Sequence, residues 1–295
     1  MLRLRESSRA ESLAQSLRQD ASQMSGQKKE ANKQIERFWK DVNLRYVPAE
    51  EVPEVGEDHF VIQLDNRSLR TPGGNILRVP SERPLLACLT AQEWDEQEKV
   101  LRPTSLPITS LIARSIDGFV TERDRADVEQ YLLKYLDTDA TCFYEDEPPA
   151  LAALQEKRWD PLIAWAKEHF QIDINVAINT LSNKQPDATR ERVAQILASL
   201  EPLDLASMER AVMTSKSIII GLALVYRRID AEQAALAAEV ETAAQASIWG
   251  AVEDSHDVDH ADLRERLASV ACAQVITEPE LVGRFVDVLH RKYGN

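Results

Sequence analysis

From about Glu122 onward, every periodic stretch of this chain repeats its apolar residues at helical spacing. The stretches are VEQYLLKYL, ALQEKRWDPLIAWAKEHF, TRERVAQILASL, SMERAVMTSKSIIIGLALVYRR, AEQAALAAEVETAAQASIWG, DLRERLASVACAQVI and PELVGRFVDVLHRKY. No strand of comparable strength interrupts them. The segment upstream reads differently. In HFVIQLDNRSLRTPGGNILRVPS, Phe60, Ile62 and Leu64 alternate onto one strand face, and turn residues follow at Asn66 and at Gly73-Gly74-Asn75, the pattern of a small antiparallel meander. Strands at one end and helices at the other predict an α+β chain, with a small β-rich N-terminal domain over 36–120 and a larger all-helical C-terminal domain over 121–295. Between them, Ser81, Glu82 and Pro84 signal a helix start, with Ala87, Ala91 and Trp94 on one stripe, and LPITSLIARSI predicts a further helix after Pro103 and Pro107. Alanines from Ala231 to Ala246 supply the small side chains that let helices approach closely.

Residues 1–35 are rich in Ser, Gln, Arg and Lys and poor in large apolar side chains, so they cannot offset their own ordering entropy and predict a polar, disordered extension. Arg3, Arg5, Arg9 and Arg18 fit a mitochondrial presequence, whereas Glu6, Glu11 and Asp20 do not. Either a presequence is already missing or the segment is a polar extension of the mature protein. Lys and Arg total 35 against 49 Asp and Glu, and a net charge of −14 repels phosphate backbones, which argues against a nucleic-acid partner. Cys88, Cys142 and Cys272 form no CxxC pair and read as reduced, partly buried thiols. The longest apolar run, Ile218 to Tyr226, falls well short of the roughly 20 residues a bilayer crossing needs, so no membrane span is expected and the chain reads as soluble.

No GxxxxGK, GxGxxG or GxSxG occurs, and no cysteine has an evident base, which leaves nucleotide cradling and nucleophilic catalysis without support. The segment WGAVEDSHDVDH is harder to set aside. As a helix it places Glu253, His256 and His260 on one face, the donor types of a catalytic zinc site. In HExxH, however, the glutamate stands between the histidines, and here Asp257, Val258 and Asp259 do. With Asp254 and Asp262 close by, a solvated acidic face or a protein-binding patch is the preferred reading, and a metal-dependent hydrolase using Glu253, His256 and His260 is the alternative. Asp137 and Asp139 likewise read as turn or helix-end caps, since no further ligand is spaced to complete an oxygen cage. Trp94, Trp159, Trp165 and Trp249 each sit among helix-spaced apolar neighbours and are expected in core or interdomain packing.

Read in order, RFWKDV (37–42), LDNRSLRTPGGNILRVPS (64–81), EWDEQ (93–97), LPITSL (106–111), YLDTDATCFY (135–144), RWDPLIAW (158–165) and WGAVEDSHD (249–257) resemble the family of ATP synthase assembly chaperones that bind the alpha subunit of the F(1) catalytic sector. The resemblance runs from about Arg37 to Ile276 and leaves both ends outside it. It implies a monomeric, cofactor-free chaperone of the mitochondrial matrix, not an enzyme. Such a protein holds unassembled alpha subunit without ATP until beta replaces it. It implies further that Glu253, three residues after the Trp249-Gly250 pair, is a recognition carboxylate and not a zinc ligand, with Asp254 and Asp257 beside it at the partner surface. Trp94, Trp249 and Gly250 then have structural roles.

Overall fold

The computed structural model describes residues 36–180, 182–250 and 255–293. The extension expected over 1–35 lies outside the described residues. Two units are present. In the smaller, Glu36 pairs with Val100 in an antiparallel bridge and the Arg37 amide donates to the Lys99 carbonyl at 3.0 Å. The larger is made of Trp39–Glu96 together with the described residues from Pro103 onward.

A small sheet opens the larger unit. β1 (Val42–Val47) pairs antiparallel with β2 (His59–Leu64) from Val42↔Leu64 to Val47↔His59, and β2 also carries β3 (Arg67–Ser68) and β4 (Arg78–Pro80), both antiparallel. Phe60, Ile62 and Leu64 are buried as the alternation predicts, and His59 and Val61 on the alternate positions are buried too, so both faces of the inner strand are covered there. The two-residue connection between β2 and β3 works because Asp65 accepts a left-handed φ of 52°, which a short polar side chain tolerates. Its carboxylate also accepts the Lys40 and Asp41 amides at 2.9 and 3.0 Å, tying the turn to the start of β1. The second turn is closed by the Gly74 amide on the Thr71 carbonyl at 2.9 Å, with Gly74 at φ 84°. Asp117 grips that turn through Thr71 Oγ1, the Gly73 amide and Asn75 Nδ2 at 2.7–2.8 Å.

Helices follow: α1 (Pro84–Asp95), α2 (Pro107–Asp117) and α3 (Glu122–Lys134), then α4 (Pro149–Arg158), α5 (Asp160–Phe170) and α6 (Asp187–Ser199). α7 (Pro202–Ser215), α8 (Ile218–Val225), α9 (Ala231–Ala238), α10 (Val240–Trp249), α11 (Ser255–Ala273) and α12 (Pro279–Tyr293) complete the set. The chain is thus α+β, a small β-rich N-terminal region followed by helices. Pro84 and Pro107 start α1 and α2, since a missing amide and a fixed φ cost nothing at a first turn. Thr121 and Asp124 form a reciprocal capping box on α3. α12, from the end outside the family resemblance, sets the Phe285 ring against Phe60 at 5.6 Å, edge to face.

Three helical stretches that read as continuous are each broken in two. Lys216 adopts φ 58° after α7, and the Ser217 hydroxyl accepts the Ile220 amide to restart the chain as α8. Trp159, just before Asp160-Pro161, separates α4 from α5, and Glu239 separates α9 from α10. A periodic apolar pattern survives such breaks because it counts residues and not hydrogen bonds. Conversely, β5 (Phe143–Tyr144) pairs in parallel with β6 (Ala177–Ile178), an element too short to leave any period in the sequence. α8 is the heart of the helical core, buried at every residue. A Cβ on Gly221 would stand 2.8 Å from the Val212 side chain, so glycine is what lets α8 lie against α7.

Among the cysteines, Cys142 is buried and Cys272 half-buried, as expected, but Cys88 is exposed. It lies on α1 one residue after the buried Ala87, which turns its side chain away from the packed stripe.

Candidate functional site

The region singled out by its histidines and carboxylates is built by α9, α10 and α11. Asp230 and Gln233 form a capping box that starts α9, with the Gln233 amide 2.7 Å from the Asp230 carboxylate. The small side chains of Ala234, Ala235 and Ala237 are buried where α9 packs on α8 and α11. At its end Glu239 is 8% exposed, and its carboxylate collects two groups from α11. Arg264 Nη1 lies 3.0 and 3.1 Å from the two Glu239 oxygens, and His260 Nδ1 contacts Oε1. The other edge of the same guanidinium meets Glu232 at 2.8 and 3.0 Å. Its hydrogen bonds to Glu232 and Glu239 together hold the Arg264 pKa above its ordinary range.

This arrangement bears on the zinc reading. The His260 imidazole is engaged by Glu239 in a helix-joining network, a contact with a residue 21 positions away that a single-helix view could not anticipate. Glu253 and Asp254 lie outside the described residues, as does the side chain of His256. Among the described residues no three His, Cys, Asp or Glu side chains are placed to hold a metal ion.

The flanks of 251–254 are where the surface is distinctive. Ile248 and Trp249 end α10 with 46% and 77% exposure, and Asp257, Val258 and Asp259 are exposed at the start of α11. Gly250 follows at φ 85° with open space around an added Cβ, so its backbone angle and not crowding favours glycine. The expectation that Trp249 packs in the core is therefore corrected. Of α10 only Val240 and Ala244 are buried, both in its first half, and the packed face has ended before the helix reaches its tryptophan. An exposed indole can bury apolar area on a partner, and exposed carboxylates can meet basic groups there.

The other tryptophans face inward. Trp94 is 9% exposed, its Nε1 donates to Thr109 Oγ1 at 3.0 Å, and its ring lies 5.1 Å from that of Trp39. Trp159 Nε1 donates to the Ala237 carbonyl at 2.8 Å, and the half-buried Trp165 stacks on His169. Glu93, beside Trp94, caps α2 by accepting the Ile108 and Thr109 amides at 2.6 and 2.8 Å and the Thr109 hydroxyl at 2.7 Å. Burial pushes its pKa up in spite of those bonds. Asp139, with no exposed surface, accepts the Thr141 amide and hydroxyl at 3.0 and 2.8 Å and the Ile219 amide at 3.0 Å. Asp137 holds the Gln185 amide at 3.0 Å and Arg190 at 2.5 Å. Both aspartates join elements distant in sequence, Asp139 by capping α8. The structural weight of Glu93 and Trp39 was not read from the sequence, although both stand in blocks quoted above.

Ile248 and Trp249 thus leave an exposed apolar end on α10. Residues 36–167 match the family described as ATP12 chaperone protein. "Protein atp12, mitochondrial" of Schizosaccharomyces pombe is 32% identical over 268 residues, covering 87% of this chain and 84% of that protein. "Protein ATP12, mitochondrial" of Saccharomyces cerevisiae is 30% identical over 281 residues, 82% of this chain and 84% of its own. The crystal structure of Atp12 from Paracoccus denitrificans superposes with a TM-score of 0.65 at 30% identity, covering 81% of this chain and 95% of that one. The chain belongs to the ATP12 chaperone family, the ATP synthase assembly chaperones that its ordered blocks resemble. No helix among the described residues is long and apolar enough to cross a membrane.

Proposed function

We propose that this chaperone, acting as a monomer in the mitochondrial matrix, binds the unassembled alpha subunit of the F(1) sector. It suppresses alpha-subunit aggregation without ATP and releases the subunit to beta. Family membership supports the setting, and both yeast relatives are named mitochondrial. The observation that supports a contact surface is the exposure of Ile248 and Trp249 at the end of α10 and of Asp257, Val258 and Asp259 at the start of α11. An unassembled subunit presents an apolar interface, and a holder must cover it reversibly. Glu253, Asp254 and Asp257 are the recognition carboxylates in this reading, with Trp249 as the apolar anchor at the partner surface instead of in the core.

The test is Glu253→Lys mixed with unassembled alpha subunit, followed by light scattering and by complex formation. The variant keeps the wild-type circular dichroism spectrum and melting curve, because surface substitutions usually move stability by about half a kcal/mol. It loses roughly 2–5 kcal/mol of binding where a desolvated charge contact is reversed. Full suppression of aggregation by the variant removes Glu253 from the recognition surface.

A further inference from the structure

One residue relates the two helices that lead into and out of 251–254. Glu239 stands at the break between α9 and α10, where its amide donates to the Ala235 carbonyl at 3.0 Å to end α9 and its carbonyl accepts the Ala243 amide at 2.8 Å to begin α10. Its buried carboxylate reaches across to α11 and meets Arg264 and His260 there. Apolar packing holds this part of α11 weakly. No residue from Asp257 to Arg266 is buried, Leu263 is half-buried against the helical core, and full burial begins only at Leu267. The first turns of α11 are thus joined to α9 and α10 by ion pairs more than by apolar burial.

We infer that Glu239 is a positioning residue for client recognition, fixing the first turns of α11, with Asp257 and Val258, relative to the helix that carries Ile248 and Trp249. The inference rests on the recognition surface proposed above. α10 extends about 15 Å beyond Glu239, so a change of angle at its base shifts its exposed end by ångströms, and hydrogen-bonded charge contacts weaken steeply with such a shift. Glu232 offers the comparison within the molecule. It pairs with the same Arg264 at 2.8 and 3.0 Å, but it is exposed and belongs to the first turn of α9, at the far end of that helix from α10. It secures α11 to α9 without setting the angle between α10 and α11.

The test compares Glu239→Gln, Glu232→Gln and Asp257→Asn in the full chain with unassembled alpha subunit. It reads the chaperone concentration that half-suppresses aggregation in light scattering, and the hydrogen exchange of amides 257–266. Glu239→Gln raises that concentration at least about tenfold and speeds exchange of those amides at least about tenfold, while α8 keeps its protection, as a local opening does. Glu232→Gln stays within about twofold of wild type, as an exposed ion pair should. Added to Asp257→Asn, Glu239→Gln costs less than the product of the two separate losses, because both act through one contact, whereas a purely structural role would multiply them. Should Glu239→Gln not melt cooperatively, His260→Ala decides: it leaves Glu239 paired with Arg264, melts like wild type and raises the concentration about threefold. Wild-type holding by the deciding variant, unchanged exchange at 257–266, equal losses from Glu232→Gln and Glu239→Gln, or a strictly multiplicative double variant overturns the inference. If Asp257→Asn holds alpha subunit like wild type, the recognition surface has failed and the inference with it. If Asp257→Asn loses holding while Glu239→Gln keeps it, only the role of Glu239 has failed.

Discussion

α8 and the end of α10 are both short apolar stretches, IIIGLALV and IW, and they have opposite fates. Every residue of α8 is buried, whereas Ile248 and Trp249 stand 46% and 77% exposed. Composition does not separate them. α8 has α7, α9 and α5 packed around it, and Asp139 and Ser217 accept the Ile219 and Ile220 amides, so its burial does not strand those two. α10 spends its packing on Val240 and Ala244 and then runs past its neighbours. Apolar character states what a side chain gains by burial, and the surrounding helices decide whether anything is there to bury it. In a chaperone the stretch left over is the one to examine for partner contact.

The most severe test of that contrast is Ile220→Asp. An unpaired charge at the centre of α8 costs several kcal/mol against a typical domain stability of about 5–15 kcal/mol, so the variant should be insoluble or lack a cooperative melt. A soluble, cooperatively melting product would show that α8 is not the core. Trp94→Arg sharpens the comparison of one tryptophan with another. It removes the Thr109 hydrogen bond and the contact with Trp39, and burying a guanidinium there should again cost several kcal/mol, seen as lost solubility or a large drop in Tm. Normal melting with loss of client binding would move Trp94 to the interface.

Asp139→Ala should be milder. It leaves the buried amides of Thr141 and Ile219 unpaired, at about 1–3 kcal/mol each, and denaturant titration should report the sum as a lower midpoint with unchanged slope. A midpoint equal to wild type would mean that α8 does not depend on this cap. The smallest stability effect belongs to Trp249→Ser, expected to change ΔG by no more than about half a kcal/mol because so little of the indole is buried. Alpha-subunit holding should nevertheless fall sharply in the light-scattering assay. A large stability loss, or full holding, would each break the contrast with α8.

Much of this was legible in the chain. Alternation at Phe60, Ile62 and Leu64 located β2, prolines located the starts of α1 and α2, and ordered blocks from RFWKDV to WGAVEDSHD pointed to the family. These signals are local: they depend on side-chain period, a fixed φ or a short run of residues. The partners of Asp117, Asp139 and Glu239 were not legible, because each reaches a residue tens of positions away. Only the tertiary structure decided that His260 meets Glu239 and that Trp249 faces solvent while Trp94 does not. The physical reason is that burial and charge pairing depend on which surfaces meet, and helix packing fixes that only after the chain has closed.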